Sequence, residues 1–164
     1  DLMNIDYQII NQREVNNEPI ADIKVKSSNI KAAEIGGALI PKLIDEIPII
    51  AILAAQADGE TVIKDAQELR VKESNRITST LNMLHKLGVD AKETADGMII
   101  QGRNKKIFEV SHLVEIDSYG DHRLAMSATI AGLYANNPIE IQKTEFVQTS
   151  FPNFFDLVDK LYQS

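Results

Sequence analysis

The chain has 164 residues, 44% hydrophobic and 25% charged, which excludes a disordered, collagen-like or low-complexity polypeptide. Its 17 Lys and Arg against 24 Asp and Glu give a net charge of −7, a poor basis for nucleic-acid binding, which depends on neutralising phosphates. Without cysteine there are no disulfides, thiolate metal sites or thiol catalysis, a composition that fits a cytoplasmic protein, and no two of the three His stand at metal-ligand spacing. The opening Asp1-Leu2-Met3-Asn4-Ile5-Asp6 has no initiator Met and no signal segment. It reads as a helix end running into a strand, so a piece of a longer protein is expected. Residues 7–10 are β-prone, 11–19 polar and turn-like, and 20–26 alternate as a strand. A short strand is expected near 31–35, ended by Gly36-Gly37. Residues 45–57 predict an apolar helix that tolerates Pro48 in its first turn and stops at Gly59. Its apolar run, 47–57, is too short to cross a bilayer, which takes about 20 residues. A strand at 61–64 follows. Residues 68–87 predict a long amphipathic helix with Ile77, Leu81, Leu84 and Leu87 on one face, capped by Gly88. Strands at 89–93 and 98–101 flank the turn Ala95-Asp96-Gly97. Residues 121–135 predict a second small-residue apolar helix, and 138–142 a strand. A last helix from about Pro152 is expected to bury Phe154, Val158 and Leu161 and to close over 160–164.

The second half repeats the first at a shift of about 77 residues. Thr61-Val62-Ile63 falls on Pro138-Ile139-Glu140, and Ile77, Leu81 and Leu84 fall on Phe154, Val158 and Leu161. The unit reads helix, strand, helix, strand, strand. Too few copies exist for a solenoid, so an α/β domain of repeated units is expected. Residues 1–40 would be the tail of an upstream unit, 41–105 one full unit and 106–164 most of a last one.

Three clusters could carry chemistry. Lys72 and Arg76 are four apart, which on a helix would put both cations on one face near its positive end. That pattern fits a Glu73–Arg76 surface pair beside a solvated Lys72. It also fits, less readily on charge pattern alone, an anion site made of helix-start N–H groups plus cationic donors. His122 and Arg123 pose the same choice, with Asp121 as an ordinary N-cap in the plainer reading. Asp45-Glu46 either compensates a helix dipole or presents a carboxylate as general base.

Taken together, Ile44-Asp45-Glu46-Ile47-Pro48, Glu68-Leu69-Arg70-Val71-Lys72-Glu73-Ser74-Asn75-Arg76, Gly120-Asp121-His122-Arg123-Leu124-Ala125-Met126 and Thr149-Ser150-Phe151-Pro152 resemble the 5-enolpyruvylshikimate-3-phosphate synthase family in order and spacing. The resemblance covers essentially the whole chain, and only the C-terminal two-fifths or so of that family's length. It implies an α/β fold of repeated βαβαββ-type units, forming most of one of two domains in an inside-out barrel. It implies transfer of the enolpyruvyl group of phosphoenolpyruvate to the 5-hydroxyl of shikimate 3-phosphate, releasing phosphate without a cofactor or metal. It implies partnership with a missing N-terminal domain of the same chain, and neither nucleic acid nor membrane. Carried over by position, Asp45 resembles the proton acceptor near the 5-hydroxyl and Glu73 the acid that protonates the methylene carbon. Lys72 resembles a contact to shikimate 3-phosphate, and Arg76 and Arg123 resemble ligands of phosphoenolpyruvate.

Two positions depart from many bacterial relatives. Glu68 stands where those have a substrate-contacting Asn, and Thr149 where they have a Lys before the Ser-Phe-Pro run. Both look like the class II branch, known for glyphosate tolerance. The alternatives are a UDP-N-acetylglucosamine enolpyruvyl transferase of the same fold and a non-catalytic anion-binding module. Lys72-Glu73-Ser74 and Asp121-His122-Arg123 favour the shikimate enzyme over the sister transferase, whereas the anion-binding module is distinguished by its expectation that Asp45, Glu73 and Arg76 can all become Ala without loss of function.

Overall fold

Alternating Ile and Val draw the N-terminal segment into an antiparallel hairpin of β1 (Tyr7–Val15) and β2 (Glu18–Val25). This is seen in a computed structural model that describes residues 2–162. The polar stretch 11–19, expected to be a turn, is mostly strand. The turn itself is Asn16-Asn17, with φ of 54° and 63°, the two-residue geometry that matches strand twist and that Asn accepts. Asn11 also has positive φ, and the register shifts between Ile10 and Arg13, so polarity here marks a bulge.

The central sheet runs β3-β4-β6-β5. β3 (Glu34–Ile35) and β4 (Glu60–Ile63) are parallel, as they must be when helices cross over between them. Those helices are a short α1 (Ile40–Leu43) and α2 (Ile47–Ala55), with Pro48 in the first turn of α2. α2 ends earlier than expected. Its last turn tightens into bonds from Gln56 N–H to Leu53 and from Ala57 N–H to Ala54, and Gly59 turns the chain into β4 afterwards. β5 (Ala91–Glu93) and β6 (Met98–Gln101) form the expected hairpin, and β6 pairs with β4.

The long helix expected over 68–87 is two elements. A 3-10 turn covers Gln67–Val71, Lys72 is extended, and α3 spans Arg76–Lys86. Asn75 causes the break: its side chain accepts the Thr78 N–H at 3.3 Å, capping a helix that starts there. Lys72 and Arg76 therefore do not share a helix face. Gly88, at φ 72°, follows the end of α3 as expected.

A second crossover repeats the first. β7 (Val114–Asp117) and β8 (Ile139–Gln142) are parallel, with α4 (His122–Gly132) between them. Strand β7 was not expected, because four residues bounded by no Gly or Pro give too little alternation to read. The repeat thus appears as β3–α2–β4–α3 and β7–α4–β8, with a leading strand in each copy. After β8 come a 3-10 turn at Thr144–Phe146, α5 (Val147–Ser150) and α6 (Phe154–Tyr162). Phe154 and Val158 are buried against Ala125 and Val147. Leu161, expected in the core, is 68% exposed, because this small cluster ends one turn earlier at Val158. Asp1, Gln163 and Ser164, which figured in the expected terminal elements, lie outside the described residues.

The main core gathers Ile47, Ile77, Leu84, Met98, Ile100 and Phe108 between helices and sheet. Among the described residues no helix is long and apolar enough to cross a membrane.

Candidate active site

Three helix starts meet at one place. The 3-10 turn at Ile44–Glu46 leads into α2, Asn75 caps α3, and Asp121 caps α4. The residues just before or at each start carry the charges. At the centre lies Arg76, whose side chain has no solvent exposure. Its Nε donates to Asp121 Oδ2 at 2.7 Å, and its Nη2 to Asp121 Oδ1 at 3.3 Å and to Glu73 Oε2 at 2.6 Å. Its Nη1 donates to Asp45 Oδ1 at 2.8 Å. A buried guanidinium needs such pairing, because an unpaired charge there would cost several kcal/mol (~3–5). The Glu73–Arg76 pair is therefore no solvated surface bridge.

The three carboxylates differ. Asp121 is fully buried, whereas the Asp45 and Glu73 side chains are about half exposed, at 48% and 50%. Burial pushes the Asp45 carboxyl up. The Arg76 hydrogen bond and the charges of Lys72, Arg76 and Arg123 outweigh it, and Asp45 is held below the usual carboxylate range. Asp121 shows the same balance. Burial raises it, and the Arg76 bonds with the Arg123 N–H and the Ser74 hydroxyl lower it further. Both are ionised at neutral pH.

Lys72 lies beside this group. Its Nζ is 2.9 Å from Glu68 Oε1 and 3.9 Å from Asp45 Oδ1. The Glu68 hydrogen bond leads the effects that raise its affinity for the proton. Glu68 therefore serves as a partner for Lys72. Arg123 sits on the first turn of α4 and donates from Nη1 to Glu46 Oε1. A cavity of about 380 Å³ opens next to it, lined by Asp45, Glu46, His122 and Arg123 on one side and by Ser150, Phe151 and Phe154 on the other. Thr149 itself is exposed. The structure thus brings Asp45, Lys72, Glu73 and Arg76 into one network, and places Arg123 at the adjoining cavity. Among the described residues no group of three His, Cys, Asp or Glu could hold a metal ion.

Sequence reasoning missed two participants. Asp121 was legible only as an N-cap, and Glu46 as half of a pair that either compensates a helix dipole or presents a general base, not as the partner of Arg123. Their partners, Arg76 and Arg123, are 45 and 77 residues away, and no local pattern announces such pairing.

Parallel crossovers repeated around helices, with anion-matching charges at the helix starts, define a class before they define a family. Over 98% of its length the fold matches the crystal structure of the enolpyruvyl transferase NikO from Streptomyces tendae, with a TM-score of 0.66 at 16% identity, a likeness of fold alone. Closer likenesses narrow the class. Residues 3–158 match the family described as EPSP synthase (3-phosphoshikimate 1-carboxyvinyltransferase), and the chain belongs to that family. It is 50% identical over 160 residues to the 3-phosphoshikimate 1-carboxyvinyltransferase of Petrotoga mobilis, covering 98% of this chain and 36% of that protein. The EPSP synthase of Acinetobacter baumannii has a TM-score of 0.89 and 43% identity, over 96% of this chain and 36% of that one. The chain thus spans about a third of the length of the relatives it matches.

Proposed function

We propose that this chain is the C-terminal part of a 3-phosphoshikimate 1-carboxyvinyltransferase. That enzyme would move the enolpyruvyl group of phosphoenolpyruvate to the 5-hydroxyl of shikimate 3-phosphate and release phosphate. The observation that carries the reading is the Asp45–Arg76–Glu73 network beside Lys72, inside a chain of this family.

On this reading Asp45 accepts the proton of the 5-hydroxyl as its oxygen attacks C2 of phosphoenolpyruvate. An ionised carboxylate can do so, and Asp45 is kept ionised by its cationic neighbours. Glu73 gives a proton to the methylene carbon. Loss of phosphate and of a methyl proton from the tetrahedral intermediate then restores the double bond. Arg76 and Arg123 suit the carboxylate and phosphate of phosphoenolpyruvate, since a guanidinium offers paired N–H donors to planar oxyanions. Here the accessible edges of both arginines are covered by Asp45, Glu73 and Glu46. An anionic ligand would displace these half-exposed carboxylates and leave them beside the reacting atoms. Lys72 would hold the phosphate or carboxylate of shikimate 3-phosphate. The remaining parts of the site would come from an N-terminal domain of the same polypeptide, and the chain alone would be inactive.

The test is turnover of the complete enzyme carrying this segment. Glu73→Ala should slow phosphate release by more than about a thousandfold, roughly 4 kcal/mol of barrier. A folded variant that loses less than about tenfold would overturn the reading and favour an anion-binding module.

A further inference from the structure

Of the three carboxylates on Arg76, Asp121 is the one with no path to a ligand. Its side chain is fully buried, and its oxygens are already occupied. Oδ2 accepts Arg76 Nε at 2.7 Å and the Ser74 hydroxyl at 3.1 Å, and Oδ1 accepts Arg76 Nη2 at 3.3 Å and the Arg123 N–H at 3.0 Å. Four acceptances are about what a carboxylate can make. It can hardly serve as acid, base or substrate contact.

The pattern of those four bonds is informative. Two fix the guanidinium of Arg76 from its Nε side, which sets the plane of the ring-like fork and aims Nη1 and Nη2 toward Asp45 and Glu73. One holds the loop that carries Glu73, through Ser74. One holds the first turn of α4, through the backbone of Arg123. A single buried carboxylate therefore ties together the two arginines and the loop of the acid.

We infer that Asp121 is a positioning residue, which locks the Arg76 guanidinium and sets its spacing from Arg123, so that the pair meets one small dianionic or trianionic ligand. The inference rests on the reading above and goes beyond it, because Asp121 is fully buried and both its oxygens are already taken by protein donors. An ordinary buried ion pair would contribute to folding alone. A positioning residue also sets the affinity for the anion that its arginines meet, since paired guanidinium–oxyanion bonds depend on the fork being held in the right plane.

The experiment uses the complete enzyme carrying this segment, with phosphoenolpyruvate and shikimate 3-phosphate varied in turn. Asp121→Asn keeps size and N-capping ability and removes the charge. The expected result is a KM for phosphoenolpyruvate raised at least about tenfold, with the KM for shikimate 3-phosphate within about twofold. Combined with Arg76→Lys, it should add little to the loss caused by Arg76→Lys alone, because the two residues act as one unit. A folded Asp121→Asn enzyme with parental KM for phosphoenolpyruvate, or with effects that add independently to those of Arg76→Lys, overturns the inference. Should Asp121→Asn fail to fold, Ser74→Ala removes one bond to the same carboxylate. It should raise the same KM by about threefold, and an unchanged KM would overturn the inference. Absence of turnover in the parent enzyme would defeat the proposed function and the inference with it. Turnover in the parent with an indifferent Asp121 defeats the inference alone.

Discussion

Arg76 is the residue on which the charges of this chain converge. A fully buried guanidinium bonded to Asp121 and Asp45 is stable only while those two carboxylates are ionised, so acid should attack it directly. The folded carboxyl of Asp121 is held below the ordinary range of an aspartate, burial notwithstanding, by the bonds and charge of Arg76. A depressed acid contributes stability that is fully present above the unfolded value and is lost as pH falls through the folded one. The urea midpoint of the chain should therefore hold at neutral pH and fall steeply below about pH 4. In Asp121→Asn the fall should be shallower, and identical acid profiles for the two chains would contradict this account. At this scale much of the site was legible. The runs around Lys72 and at Asp121-His122-Arg123 stand out because cations rarely crowd an expected helix start, and Asp45-Glu46 stands out as a carboxylate pair ahead of one. The role of Asp121 was not legible, because it depends on a partner 45 residues away.

Among the elements, close backbone contact decides more than propensity does. The β5–β6 turn could be read from Ala95-Asp96-Gly97, and the reason Gly is required there appears only in three dimensions. A Cβ at position 97 would lie 2.0 Å from the carbonyl oxygen of Ile63 in the neighbouring β4. Gly97→Ala must push the hairpin off the central sheet. It should cost about 1–3 kcal/mol, the range for overpacking, and lower Tm by several degrees. A Tm within about 1 °C of the parent would contradict the close approach. The break between the 3-10 turn at Gln67–Val71 and α3 was hidden for the opposite reason. The apolar positions from Leu69 onward keep helical spacing across it, while Ser74 and Asn75 divert their side chains to the backbone and to Asp121. That diversion takes Lys72 off the helix, and its Nζ lies 3.9 Å from Asp45 as well as 2.9 Å from Glu68. β7 was missed because its pairing with β8 is long-range and its four residues carry no turn signal.

In the whole molecule the repeat explains both the order and the loose ends. Two crossovers pack their helices α2 and α4 together and turn the starts of those helices toward one cleft. The β1–β2 hairpin has no such cover, and every residue of both strands is exposed. The relatives extend well past this segment, which accounts for 36% of the Petrotoga mobilis protein. On the proposed reading the reaction therefore belongs to the longer polypeptide. The most direct measurement is phosphate release from phosphoenolpyruvate by the complete enzyme carrying this segment, with shikimate 3-phosphate and UDP-N-acetylglucosamine offered separately. Release with shikimate 3-phosphate alone is the predicted result. Release with the sugar nucleotide, or with neither acceptor, would contradict it.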